Sequence, residues 1–295
     1  MNIGIFAQKL SSVDRKWARS FIGFLQENGY EVCLHKELYD SFQSAKLPNN
    51  LPFFTEIVGG EDFSIDYLIS LGGDGTMLRA VNLTYKTDIP VLGINLGRLG
   101  FLASVEKKNA RIAIDRIKRG EYDVQKRTLL ELGGKHKLFA PDPVALNDFT
   151  VFKRDTSSMI GVHIYINGEF FNTYWSDGLI ISTPTGSTGY SLSCGGPIVF
   201  PSSGNLVITP IAPHNLNVRP IVISDDSEIS IRLEGRTDSF LCSLDSRFES
   251  INKKHQLLVR KSRYHGQVML MRDYSYTDAL REKLTWGFDK RSSTI

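Results

Sequence analysis

Over the first 120 or so residues, short apolar runs alternate with stripes of helical spacing. Ile3 to Phe6 has the length of a buried strand, and Trp17, Ala18, Phe21, Ile22 and Leu25 recur three and four residues apart, the mark of one apolar helix face. Gly29 supplies the stop for that helix. Glu31 to Leu34, Tyr67 to Leu71 and Val91 to Asn95 are further strands, and Ala110, Ala113, Ile114 and Ile117 form a second stripe ending near Gly120. Parallel strands need a crossover, usually a helix, so this alternation predicts an α/β domain with a largely parallel sheet.

From about Tyr122 the period changes. Val124 to Leu132, Leu146 to Phe152, Ile160 to Ile166, Glu169 to Tyr174 and Gly178 to Ser182 read as closely spaced strands. Others follow at Val207 to Ile211, Glu228 to Leu233, Phe240 to Leu244, Leu257 to Lys261 and Val268 to Met271. Asn167-Gly168, between two such runs, is a strong signal for a tight hairpin. Thr277 to Trp286 is helical again. The expected organisation is an α/β domain over 1–122, a β-rich domain over 123–271 and a tail over 272–295 that packs back on the first domain.

Composition narrows the class. At 295 residues the chain is long enough for two domains with separate cores. Thirty-five Lys and Arg against 32 Asp and Glu leave a net charge of +3, too small for nucleic acid or an anionic membrane to be the default partner. Cys33, Cys194 and Cys242 are odd in number and form no C-x-x-C pair, which argues against a disulfide framework or zinc site and for a reducing, cytoplasmic compartment. Met1 leads straight into a strand pattern without a basic leader, and no apolar run approaches membrane-spanning length, so neither export nor insertion is expected.

Leu71-Gly72-Gly73-Asp74-Gly75-Thr76 stands between the strand Tyr67 to Leu71 and a helical pattern containing Met77, Leu78 and Val81. A strand-to-helix junction exposes backbone N–H groups and the positive end of the helix dipole, and glycine lets a phosphate approach the backbone. Gly72, Gly73, Gly75 and Thr76 are the candidate phosphate loop, although it matches neither the P-loop nor the full G-x-G-x-x-G pattern, since Leu78 takes the last glycine's place. Two readings stay open: a phosphate site, or an ordinary tight turn in which Asp74 caps the helix. An acid among anion-binding amides favours chemistry, because a phosphoryl acceptor whose hydroxyl gives up a proton would explain both features.

A second constellation runs from Asp177 through Gly178 to Tyr190 and on to Ser191 and Ser193, from a strand into a loop of small hydroxyl residues. Asn147-Asp148 is a third polar pair, inside an otherwise apolar strand or at its end or bulge. Carboxylates accept paired bonds from ribose diols and Asn can read an adenine edge, so the three together suit a ligand with riboses, a base and a pyrophosphate. Tyr190 and Phe101 are candidates for ring stacking, with core packing as the alternative.

Taken together these residues resemble the NAD kinase family over most of the chain. The glycine turn, Asn95-Leu96-Gly97-Arg98-Leu99-Gly100-Phe101-Leu102, the Asn147-Asp148 pair, the run Asp177 to Tyr190 and the tail Asp273-Tyr274-Ser275-Tyr276 are similar to that family's signatures. The resemblance implies a Rossmann-like N-terminal α/β domain and a C-terminal β-rich domain, with the active site in the cleft between them. It implies phosphorylation of the 2′-hydroxyl of NAD's adenosine ribose by ATP, giving NADP and ADP and setting the intracellular NAD/NADP balance. Mg²⁺ or another divalent cation would be held mainly through nucleotide phosphates, and the chain would form a homodimer or homotetramer.

By the same resemblance Asp74 is the proton acceptor, and Gly75 and its neighbours contact NAD. Asn147 and Asp148 bind adenosine and ribose groups. Asp177, Thr188, Gly189, Tyr190, Ser191, Leu192 and Ser193 complete the dinucleotide site, and Arg79, one turn into the helix, is in reach of a phosphate. Ala212 and Arg247 fall near positions that contact ligand in some members. Three departures stand out: Asp148 where Glu is usual, Gly189 where Ala is usual, and Trp175 where several bacterial members carry Arg, which bears on the choice between NAD and NADH. A lipid kinase and a non-catalytic dinucleotide sensor are the rival readings; the polar second signature disfavours the first.

Overall fold

The computed structural model describes residues 1–42, 51–57, 64–97, 100–154 and 158–286. They cluster into two compact units, Met1–Gln125 with Gln267–Ile295, and Lys126–Gly266. The divisions fall within the strands Tyr122–Gly133 and Leu257–Met271.

The first unit opens with β1 (Asn2–Ala7), α1 (Ser12–Glu27), β2 (Glu31–His35), α2 (Lys36–Ser41) and β3 (Phe53–Phe54). It continues with β4 (Tyr67–Gly72), α3 (Asp74–Thr84), β5 (Val91–Asn95), β6 (Val105–Glu106) and α4 (Ala110–Lys118). Ser11 caps α1 by accepting the Asp14 N–H at 3.1 Å, the helix buries Ala18, Phe21, Ile22 and Leu25, and Gly29 at φ 78° ends it. The strands pair in parallel in the order β3-β2-β1-β4-β5 and are buried almost throughout, as strands covered on both faces are. Chain order reverses between β1 and β4, and sheets of this kind bind ligands at the carboxyl ends of the strands beside such a reversal. The turn that closes β4 and opens α3 lies there.

The second unit holds β7 (Tyr122–Gly133), β8 (Val144–Ala145), β9 (Asp148–Lys153), β10 (Ile160–Ile166), β11 (Glu169–Ser176) and β12 (Gly178–Ser182). After the single helical turn α5 (Tyr190–Ser193) come β13 (Asn205–Ile211), β14 (Ile221–Ser224), β15 (Ile229–Glu234), β16 (Phe240–Leu244), β17 (Arg247–Ile251) and β18 (Leu257–Met271). An antiparallel sheet in the order β14-β13-β12-β9-β16-β17 shares one apolar core with β10, β15 and the start of β18, through Phe149, Val151, Ile181 and Ile208 on one side and Val162, Ile164, Ile231 and Val259 on the other. The β10–β11 hairpin turns at Asn167 and Gly168, both at positive φ (52° and 85°).

Three readings of the pattern change. The strand expected over 146–152 is β9 from Asp148 onward, and Leu146-Asn147 separate it from the short β8. The strands expected at 257–261 and 268–271 are one, because pairing with β15 at one end and β5 at the other carries the backbone through the polar stretch between them. The expected loop after Ser182 is a 3-10 turn, Thr185–Thr188, followed by α5.

The end of β18 returns to the first unit, where Val268 and Met269 pair with Val91 and Leu92. Then α6 (Tyr276–Leu284) buries Ala279 and Leu280. Asp273 pairs with Arg116 at 2.8 Å, and the Tyr274 hydroxyl donates to the Phe101 carbonyl at 3.4 Å. No helix among the described residues is long and apolar enough to cross a membrane.

A Cβ added at Gly93 in β5 would stand 2.6 Å from the Ala103 backbone. Gly93→Ala is therefore expected to cost about 1–3 kcal/mol by forcing the backbone at 103 away from the sheet. Urea unfolding measures it, and unchanged stability would contradict this packing.

Candidate active site

β4 ends at Gly72 and α3 begins at Asp74, with Gly73 as N-cap in an extended conformation (φ −109°, ψ −165°) and no side chain capping the helix. Asp74 is thus no helix cap. Its carboxylate instead accepts three successive backbone N–H groups from the loop after β5: Phe101 to Oδ2 at 2.7 Å, and Leu102 and Ala103 to Oδ1 at 3.0 and 3.1 Å. A carboxylate offers about four lone-pair sites, so one remains, on Oδ2.

The glycines around it divide by cause. A Cβ at Gly72 would lie 2.2 Å from the Thr76 hydroxyl oxygen, and one at Gly100 would lie 1.8 Å from Asp74 Oδ1, so internal packing requires both. At Gly73 and Gly75 an added Cβ meets nothing within 4 Å, and neither has a left-handed φ. Gly75 even sits in the first turn of α3, where alanine would be better by up to about 1 kcal/mol. Neither packing nor backbone conformation explains these two glycines; close approach of a ligand to the helix N-terminus does.

In the second unit, Asn147-Asp148 is presented at the break between β8 and β9. The Asn147 carbonyl accepts the Thr183 N–H at 2.9 Å, and its side-chain Oδ1 is buried without a partner among the described residues, as is the Thr185 hydroxyl. Buried polar atoms are almost always paired, so these two are expected to meet a ligand or water. Asp148 is buried and accepts from the Thr150 hydroxyl at 3.1 Å. Burial first, and then the negative charge of Asp245, push its carboxyl up to about 7. Asp245 carries no sequence signal: it acts across 97 to 99 residues on the amides of 146–148.

The hydroxyl run serves the fold more than expected. The Thr183 hydroxyl donates to the Leu146 carbonyl and accepts the Gly186 N–H, that of Ser187 joins Pro184 and Val199, and that of Ser191 is shared with Thr209 at 2.8 Å. The Ser191 side chain is fully buried. Thr188, Gly189 and Leu192 are half-buried, while Tyr190 and Ser193 are exposed. A pocket of about 500 Å³ brings together Asp148, Asp177, Tyr190, Asp245, Lys153 and Phe248, with Phe152, Ile211 and Ser243 completing its walls. Its size and its mix of aromatic and acidic groups suit a small-molecule site. Asp177 is paired there with Lys153 at 2.6 Å.

Other candidates are engaged elsewhere. Arg79 pairs with Glu37 at 3.0 Å and lies over the Phe6 ring. The Arg247 guanidinium donates to the Asp142 and Val144 carbonyls, tying down the segment before β8. Phe101 packs beside Tyr276, ring centroids 6.4 Å apart. Ala212 is exposed, at φ 45°, just after β13. The Trp175 ring covers Gly161, where a Cβ would stand 3.1 Å from it. Arg98 and Leu99 lie outside the described residues.

The chain matches the ATP-NAD kinase N-terminal domain over residues 3–122 and the ATP-NAD kinase C-terminal domain over residues 146–271. It is 43% identical over 279 residues to the NAD kinase of Cytophaga hutchinsonii, covering 94% of each chain. To the NAD kinase of Flavobacterium psychrophilum it is 42% identical, over 99% of this chain and all of the relative. Among solved structures it resembles yeast NADH kinase complexed with NADH, at a TM-score of 0.87 and 26% identity, over 100% of this chain and 90% of the other. An Archaeoglobus fulgidus NAD kinase in complex with ATP shares the fold, at a TM-score of 0.72 and 24% identity over 97% and 99% of the two chains. These matches span both units and define a kinase, an enzyme of the transferase class. The chain belongs to the NAD kinase family.

The division among the glycines has a direct consequence. Gly75→Ala is expected to keep or raise the melting temperature, whereas Gly100→Ala lowers it by several degrees, since a clash with a tethered carboxylate costs about 1–3 kcal/mol. Equal destabilisation of the two variants would contradict the distinction.

Proposed function

We propose that the chain transfers the terminal phosphoryl group of ATP to the 2′-hydroxyl of NAD's adenosine ribose, giving NADP and ADP. The observation that carries this reading is the Asp74 carboxylate, tethered by three amides yet keeping one acceptor site, beside two glycines that nothing in the fold requires. The acceptor hydroxyl donates to Asp74 Oδ2 and is oriented by it. Its oxygen bonds to the γ-phosphorus as the bond from that phosphorus to the bridging oxygen breaks, and its proton passes to Asp74. Phosphoryl transfer goes through a loose transition state in most analyses, so the proton moves late, and positioning with charge neutralisation supplies most of the rate.

The glycine-turn amides at the start of α3 are assigned to the phosphates. Asn147, Asp148, Asp177 and Tyr190 are assigned to adenosine and ribose, with the unpaired Asn147 Oδ1 reading an amino donor on the base. The bound NADH and ATP of the two solved relatives support the same substrate classes here. Magnesium or another divalent cation would supply charge neutralisation on the nucleotide phosphates. Phosphates and water would be its main ligands, since magnesium dehydrates reluctantly and takes few protein groups at nucleotide sites. A cytoplasmic homodimer or homotetramer completes the proposal, the compartment supported by three free cysteines. NADP formation from ATP and NAD, with diacylglycerol as the competing acceptor, tests it; phosphorylation of the lipid alone would overturn it.

Asp74→Asn removes the proton acceptor and sets an amide NH₂ against at least one of the three N–H donors. General-base catalysis is worth about 10²–10⁴-fold, so kcat should fall at least a hundredfold, while the NAD dissociation constant changes less than tenfold. Steady-state kinetics beside calorimetry checks this. A kcat within about threefold of wild type, far short of the general-base range, would remove Asp74 from the mechanism.

A further inference from the structure

Asp245 occupies the two-residue turn between β16 and β17 at φ 53°. Its Oδ2 accepts the Leu146 N–H at 2.9 Å, and its Oδ1 accepts those of Asn147 and Asp148 at 2.8 and 3.2 Å. Its own N–H donates to the Asp148 carbonyl at 2.9 Å. These four bonds replace sheet pairing at the point where β8 breaks from β9, and they fix the direction in which Asn147 and Asp148 leave the backbone.

We infer that Asp245 is a positioning residue of the nucleotide pocket: it holds Asn147 and Asp148 through their amides, and its charge makes Asp148 the group whose protonation sets nucleotide affinity. The inference rests on the reading of this pocket as the NAD site. Burial raises both carboxyls, but three amide donors and the nearby Arg247 favour the charged form of Asp245. Asp148 has only the Thr150 hydroxyl against its burial and its charged neighbour, so it takes the proton of the pair. The other titratable groups near it are Tyr190 and Cys194 at α5, both raised chiefly by burial and so neutral, and Asp177 and Lys153, which pair with each other.

The sign follows. Because the folded pKa of Asp148 is raised, its protonated form favours the nucleotide-free fold, and that contribution is lost as pH rises from the ordinary carboxyl range through about 7. Ribose hydroxyls donate to a carboxylate, so NAD prefers the ionised form. Affinity should then weaken by roughly tenfold for each pH unit below the midpoint and level off above it.

The test is calorimetry of NAD on the full-length chain from about pH 5.5 to about pH 8.5, with melting temperatures of the nucleotide-free protein over the same range. Wild type should show the midpoint near 7. Asp148→Asn should bind without that dependence, and Asp245→Asn should bind at least about tenfold more weakly above the wild-type midpoint, with its own midpoint moved down. A purely structural Asp245 would weaken binding and leave the midpoint in place, which overturns the inference. So does a midpoint retained in Asp148→Asn, an arm that stands by itself should Asp245→Asn not fold. Absence of NAD binding by wild type at every pH would instead overturn the functional reading, and this inference with it.

Discussion

A carboxylate that accepts three successive backbone N–H groups is the constraint on which the rest of the site depends, and the chain uses it twice. Asp74 collects the amides of 101–103 and Asp245 those of 146–148. Both segments leave regular pairing, the first beyond β5 and the second between β8 and β9, and buried N–H groups cannot be left unpaired there. Charge-assisted bonds to one carboxylate satisfy three donors at once and hold each segment in one conformation. Rigid backbone is what a positioning mechanism needs.

Close packing follows from the same device. Gly100 is a glycine because Asp74 lies against it, and Gly186 because a Cβ would stand 2.1 Å from the Asn147 carbonyl oxygen. The buried hydroxyls of Thr183 and Ser187 bind backbone and that of Ser191 binds the Thr209 hydroxyl, so the turn after β12 is built from inside. Among the described residues, groups left open include, in the first unit, the free acceptor of Asp74 and the open sides of Gly73 and Gly75, and, in the second, the unpaired Asn147 Oδ1 and the acid-lined pocket around Asp148 and Asp177.

Much of this was legible in the chain because it is local. A strand, a glycine turn and a helical stripe in sequence define the Asp74 junction, and spacing of two and of three to four residues sets the strands and helices. What could not be read depends on residues far apart. Asp245 lies 97 residues from Asp148, in a hairpin whose second strand, with Phe248 exposed, gives no clear apolar alternation. The inward turn of the hydroxyls is a tertiary choice that composition does not encode. Arg79 and Arg247 carry the charge a phosphate would want, yet Glu37 and two backbone carbonyls have claimed them. The continuity of β18 is set by partners at its two ends, which its polar middle conceals.

The proposed role of Asp74 is to serve the acceptor hydroxyl with the one lone pair its amide tether leaves free. A crystal structure of the full-length chain with NAD bound measures this directly. The adenosine 2′-oxygen is expected about 2.6–3.2 Å from Asp74 Oδ2 with the three amides of 101–103 still in place. A 2′-oxygen well beyond hydrogen-bond reach of that carboxylate, with the tether intact, would contradict it.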